Sequence, residues 1–211
     1  MVEGYWGDDR YSEGVEVIGS LSEAPDELGL EPCCSNVNDE YMYWGKAYGN
    51  SEPVVIKDGS VESGNTVPAN LFMYEVFRDT SVTVPDVGYS ADEDRIFMEV
   101  LEGYDTSFEA LEKGEEDELA YCIAAKALMG DPDLMHHIGV SDRGYALIDP
   151  DRSGVPDFRV EEAVSDYIRE VNRKTSLELE MDDVEGAMHR LSLQVGIEDL
   201  DNTLQRIEPL E

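Results

Sequence analysis

The sequence predicts an α+β protein of two lobes: a small, mixed, β-rich lobe over residues 1–103, then a reduced, mostly helical lobe over 104–211. Three observations carry that prediction. Residues 40–101 alternate short apolar runs with turn residues in the order strand, strand, helix, strand, strand. From Thr106 onward apolar residues recur at helical spacing, most clearly Val160, Ala163, Val164, Tyr167, Ile168 and Val171. Between the longer helical patterns, the apolar runs 138–140 and 145–148 flank Ser141-Asp-Arg-Gly144, a tight hairpin turn.

A chain of 211 residues, 41% hydrophobic, is long enough to bury a substantial core as one domain or as two lobes sharing a cleft. The charge is the outlier, with 15 Lys and Arg against 49 Asp and Glu, net −34. The acids run from Glu3 to Glu211, which excludes a single acidic tail. A mimic of nucleic acid or a binder of basic partners rarely carries so many separate apolar runs. The remaining reading is a protein adapted to molar salt, where the Debye length falls to about 3 Å and self-repulsion is screened. The expected setting is the high-salt cytoplasm of a salt-accumulating extreme halophile such as a haloarchaeon. Direct binding to nucleic-acid phosphates is not expected at this charge.

Cys33, Cys34 and Cys122 show neither CxxC spacing nor an even count, so they predict core or loop residues rather than a disulfide framework or a metal site. No apolar run approaches the ~18 residues of a membrane span, and the first residues lack the basic and apolar regions of a signal peptide.

Residues 1–40 carry little pattern beyond a short strand at 15–18 and a loop or helical turn at 21–30. Glu40-Tyr-Met-Tyr-Trp-Gly-Lys-Ala-Tyr48 is aromatic and partly alternating, as a half-buried strand should be. After a turn at Gly49-Asn50, Pro53-Val-Val-Ile-Lys-Asp58 is an apolar strand that ends in Lys57, one of only five lysines in the chain. A strand-end lysine can simply snorkel to solvent. Residues 68–80 predict a helix with Leu71, Tyr74 and Phe77 on one face and Glu75 within it. Residues 82–89 are extended around Pro85, and Arg95-Ile-Phe-Met-Glu-Val-Leu101 is a further strand closed by Glu102-Gly103.

A short helix capped by Ser107 and a longer one over 115–129 then lead into Gly130-Asp-Pro-Asp-Leu-Met-His-His-Ile-Gly-Val140. This is the best site candidate in the chain. Asp131 and Asp133 precede the hairpin, Asp149 and Asp151 follow it, and two of the three histidines, His136 and His137, lie between. The hairpin is expected to bring Asp133, His137 and Asp149 towards one end of a small sheet, a donor set suited to a divalent metal or to proton transfer. Two more helices are predicted near 182–194 and 198–207.

The order Val54-Val-Ile-Lys57, a helix with Glu75, Met98-Glu-Val-Leu101, a helix, Asp131-Pro-Asp-Leu134 and Leu147-Ile-Asp149 resembles the protein-kinase-like superfamily over roughly residues 40–155. The nearest resemblance is to its divergent branches, the aminoglycoside-phosphotransferase-like enzymes and the toxin-type serine kinases. The resemblance implies an ATP-dependent phosphotransferase using Mg²⁺ or Mn²⁺. It implies that Lys57, held by Glu75, contacts the nucleotide phosphates, and that the 98–101 segment with Glu99 and Leu101 is a hinge for the adenine edge. Asp133 would accept the proton of the acceptor hydroxyl, and Asp149 would bind the metal.

The chain departs from that pattern in two places. No G-x-G-x-x-G precedes Val54, and His137 stands where the family places a metal-binding asparagine, one residue early relative to Asp133. Imidazole suits softer divalent ions than Mg²⁺, so His137 is itself a metal candidate. A catalytically inactive kinase-like structural or scaffold protein, held in an assembly with another protein, is the alternative. Two weaker readings share the same stretch. Asp149-Pro-Asp-Arg-Ser-Gly-Val-Pro-Asp157 has calcium-loop spacing but Val160 where a glutamate belongs. A metal-dependent hydrolase built on Asp131, Asp133, His136, His137 and Asp149 lacks any recognised ligand spacing.

Overall fold

The computed structural model describes residues 4–28, 30, 42–49, 51–59, 66–131, 134, 135, 137–150, 160–195 and 203. It is a mixed α+β structure. Its main sheet has six strands: β1 (Tyr5–Gly7), β2 (Val15–Ser20), β3 (Met42–Ala47), β4 (Pro53–Asp58), β5 (Val87–Ser90) and β6 (Arg95–Glu99). They lie in the spatial order β1-β5-β6-β4-β3-β2, and every neighbouring pair is antiparallel. Helix α1 (Thr66–Phe77) links β4 to β5.

The period of two along β4 decides which core each residue joins. Val55 lies with Val87, Tyr89, Ile96 and Met98 under Val67, Leu71 and Tyr74 of α1. Val54 and Ile56 point to the opposite face, with Tyr11, Val15, Ala47 and Phe97. A strand covered on both faces has no reason to alternate polar with apolar residues, which is why Val54-Val-Ile56 reads as a continuous apolar run. The second face is covered by the chain between β1 and β2, and the covering is tight. A Cβ on Gly88 would collide with the Tyr5 hydroxyl and lie 2.9 Å from the Tyr11 ring.

The second half contains α2 (Phe108–Leu111), α3 (Glu116–Leu128), the hairpin β7 (Ile138–Ser141) and β8 (Gly144–Leu147), α4 (Val160–Lys174) and α5 (Met181–Gln194). The largest core joins Leu119, Ile123, Ile138, Leu147, Tyr167, Val171, Val184 and Leu191 to Met73, Val76 and Phe77 of α1 and to Val82 and Val84. That core therefore crosses residue 103. It also divides the face predicted for α1: Leu71 and Tyr74 meet the sheet, whereas Phe77 joins the helical core. The helix is apolar on both sides because both sides are covered.

The hairpin is anchored along both outer edges and at its turn, where the Asp142 N–H bonds to the Glu102 carbonyl at 3.0 Å. Leu147 donates its N–H to the Thr83 carbonyl at 2.9 Å, and Asp105 and Val140 exchange both backbone bonds at 2.8 and 2.9 Å.

The remaining differences from expectation are local. β1 is too short to show a period in its Tyr-Trp-Gly sequence. The extended 82–89 stretch enters the sheet only at Val87, beyond Pro85, which has no N–H to give a ladder. α1 starts at Thr66 and takes Pro68 within its first turn, where a missing N–H costs nothing. The helix predicted over 198–207 lies outside the described residues, apart from the buried Thr203. Among the described residues, no helix is long and apolar enough to cross a membrane.

Candidate functional site

Lys57 shares its face of β4 with Val55, so its side chain leaves the sheet on the side covered by α1 and is only 6% exposed. A buried ammonium needs an anion. It has one from 92 residues away: Lys57 Nζ donates to the Asp149 carboxylate in a close ion pair. Glu75 stands one turn beyond Leu71 on α1. Its side chain is largely covered, and it forms an i,i+3 ion pair with Arg78 at 3.6 Å.

Asp149 reaches Lys57 because of how β8 ends. The ladder of the hairpin pairs Ile138 with Leu147 and is extended by one bond from the Ile148 N–H to the His137 carbonyl, 3.0 Å. At the next residue the backbone turns into the left-handed region, Asp149 having φ +52°. Aspartate tolerates that conformation better than most side chains. The turn leaves the Asp149 carboxylate facing both Lys57 and His137, whose Nε2 is 4.0 Å from Oδ2. The side chains of Asp149 and His137 keep 25% and 15% exposure, so the pair can be reached from solvent.

Behind this pair lies a residue that sequence reasoning missed. Lys126, near the end of α3, is fully buried, with Asp131 equally buried 2.8 Å from its ammonium. Their meeting follows from the way α3 stops. Gly130 adopts φ +67°, its N–H bonds to the Ala127 carbonyl at 3.0 Å, and the Asp131 N–H bonds to the Lys126 carbonyl at 3.0 Å. This is the double bond pattern of a Schellman stop, which lays the second residue after the helix over the third from its end. That contact is commonly apolar; here it is an ion pair. Lys126 Nζ also lies 3.3 Å from the Asp149 carbonyl and 3.4 Å from His137 Nδ1. The signal was present in the sequence as a lysine within an otherwise apolar Cys122-Ile-Ala-Ala-Lys126 run, five residues before an aspartate that follows glycine.

Glu99 and Leu101 sit at the other end of β4. Glu99 pairs with Val54, three residues and roughly 10 Å along the strand from Lys57. Its carboxylate accepts the Asp86 N–H at 3.1 Å and an Arg143 guanidinium N–H at 2.8 Å, tying β6 to the hairpin turn. Arg10 closes the same group by pairing with Asp86 and Asp8. Burial, and then the Glu99 charge, push the Asp86 carboxyl above its ordinary value. Leu101 is buried, and its carbonyl accepts the Tyr104 N–H at 3.3 Å.

The structure thus brings together Lys57, Asp149 and His137, and sets Glu99, at the end of β6, and Leu101 beyond it apart from them. Asp133, His136, Cys33, Cys34, Asp151 and the interior of the calcium-like loop lie outside the described residues. Cys122 is a buried core residue whose thiol burial pushes well above its usual range. Among the described residues, no group of three His, Cys, Asp or Glu side chains is placed to hold a metal ion.

Chemically, the site offers a fixed cation beside a partly accessible carboxylate. The cation can take an anionic oxygen. The carboxylate can take a divalent ion or hold a positive ligand group. No protein-family model matches the chain, and no curated protein matches it in sequence.

Proposed function

We propose that the protein is an ATP-dependent phosphotransferase of protein-kinase-like fold, working in the high-salt cytoplasm of a halophile on an acceptor hydroxyl. The observation that carries the reading is the Lys57–Asp149 pair, a buried strand lysine facing a carboxylate from the end of a distant hairpin. Phosphoryl transfer needs that combination, a cation for the nucleotide phosphates beside a carboxylate for their metal. The sheet adds support, because β4, α1, β5 and β6 follow one another as strand, helix, strand, strand with β4 beside β6. The roughly 10 Å between Lys57 and the level of Glu99 suits a nucleotide lying along the strands, phosphates at Lys57 and base at the 98–101 segment.

In this reading Lys57 would hold phosphate oxygens and Asp149 would give Mg²⁺ or Mn²⁺ a single protein carboxylate, the rest of its shell coming from the nucleotide phosphates and water. Bound there, the metal nucleotide would supply the phosphoryl group and the charge neutralisation its transfer requires. In this reading Glu75 on α1 would back the strand lysine, and Asp133 would take the acceptor's proton. A second reading, a kinase-like scaffold without catalysis, is favoured by one observation. The imidazole at 137 faces Lys126 on one nitrogen and Asp149 on the other, which leaves it poorly disposed as a metal ligand.

Thermal shift in molar KCl separates the two. With millimolar Mg²⁺–ATP or Mn²⁺–ATP the wild type should melt higher, and Lys57→Ala and Asp149→Asn should each lose most of that shift. An unshifted wild type would remove the nucleotide reading. A shift that survives both substitutions would remove this site. A stable stoichiometric complex with another protein, unaffected by either substitution, would favour the scaffold.

A further inference from the structure

We propose that Lys126 is a positioning residue: its buried ammonium, compensated by Asp131, holds the Asp149 backbone and the His137 ring so that the Asp149 carboxylate stays on Lys57. Among the described residues, the ammonium, which has three donors, faces these acceptors. They are the Asp131 carboxylate at 2.8 Å, the Asp149 carbonyl at 3.3 Å and His137 Nδ1 at 3.4 Å. The Asp149 carbonyl belongs to the residue forced to φ +52°, so the lysine bonds the strained peptide itself.

The contact with His137 fixes a tautomer. An ammonium has no lone pair, so Nδ1 must accept and the ring proton resides on Nε2. That Nε2–H is the atom 4.0 Å from Asp149 Oδ2. His137 therefore turns a donor towards the carboxylate instead of a lone pair towards a metal. Its place in the pattern where a metal-binding asparagine is expected becomes one that orients Asp149, not one that coordinates. A lysine needed only to end α3 would gain by reaching solvent. Lys126 has no exposure at all, among buried Cys122, Ile123, Ala124 and Ala125.

The ligand-binding consequence rests on the phosphotransferase reading; the tautomer does not. The test uses the full chain in molar KCl, with ¹⁵N long-range spectra of the imidazoles assigned by a His137→Gln variant, and Mn²⁺–ATP calorimetry. The wild type should show His137 protonated on Nε2. A wild-type spectrum with the proton on Nδ1 overturns the proposal without any variant. Lys126→Met alone strands a buried Asp131 carboxylate, so the informative variant is Lys126→Met with Asp131→Leu, which removes both charges. It should melt as cooperatively as wild type, show a mixture of His137 tautomers, and bind Mn²⁺–ATP about tenfold or more weakly, the usual cost of losing an outer-shell partner. Unchanged tautomer and unchanged affinity in that variant would reduce Lys126–Asp131 to a helix stop. If the wild type does not bind Mn²⁺–ATP, the phosphotransferase reading falls, and the tautomer result still decides the role of Lys126.

Discussion

Tyrosines mark where this chain has dried its interior. Burial pushes the Tyr74 hydroxyl up to about 12, reinforced by its hydrogen bond to Asp8 at 3.0 Å and opposed by Arg78. Tyr89 is likewise pushed up to about 12, first by burial and then by its bond to Asp94 at 3.1 Å. Tyr5, Tyr11, Tyr145 and Tyr167 are raised as well, each chiefly by burial. The sign follows from linkage. A group whose folded value lies above its unfolded value of 10.0 gives stability that is whole below pH 10 and lost as pH rises through about 12. Urea unfolding should therefore show a shallow decline from about pH 9, where the unfolded Cys122 thiol loses its proton and the buried one does not, and a steep fall above 10, with phenolate absorbance of these tyrosines appearing together with unfolding. Ionisation of all the tyrosines near 10 in the folded protein would contradict the burial described.

At the scale of the element, the stop of α3 matters more to the site than any strand. Gly130 at φ +67° permits the two bonds that bring Asp131 back over Lys126. Gly130→Ala should cost about 1–2 kcal/mol, the penalty of an L side chain in the left-handed region. The loss should appear as a lower urea midpoint with an unchanged slope. It should also weaken nucleotide binding if the Lys126 arrangement serves Asp149, since Asp131 would no longer be delivered to the ammonium. Stability within a few tenths of a kcal/mol of wild type would mean that the turn tolerates alanine and that the Schellman geometry is not what places Asp131. By contrast, the hairpin β7–β8 is held from both outer sides, by Thr83 and Asp105, and does not depend on its own turn alone.

For the whole molecule the governing quantity is the net charge of −34. Most acids are at the surface, and exposed pairs such as Glu109–Lys113 at 3.5 Å contribute little each. Self-repulsion summed over the surface is the larger effect. It is screened over about 10 Å at 0.1 M salt and about 3 Å at 1 M. The melting temperature should therefore rise continuously from 0.1 to 2 M KCl, while the fully buried pair Lys126–Asp131, shielded from ions, persists throughout. A flat or falling response would exclude adaptation to molar salt and leave the acidity to be explained by a partner.

Periodicity by itself determined much of this protein. The strands at 42–47, 53–58 and 95–99, helices α3, α4 and α5, and the hairpin were legible because each buries one or two faces whose spacing is written locally. The acidic composition likewise fixed the charge at every step. The site was legible only in parts. Lys57 stood out as a cation closing an apolar run, and Asp149 as an acid closing another. Only the tertiary structure decided that these two meet, because their encounter depends on the packing of a hairpin 92 residues away and on a left-handed backbone at Asp149. Tertiary structure also decided that Lys126 is internal. A lysine on a helix ordinarily reaches solvent, and only the closure of α1, α4, α5 and the hairpin around α3 removes that route and leaves Asp131, Asp149 and His137 as its surroundings.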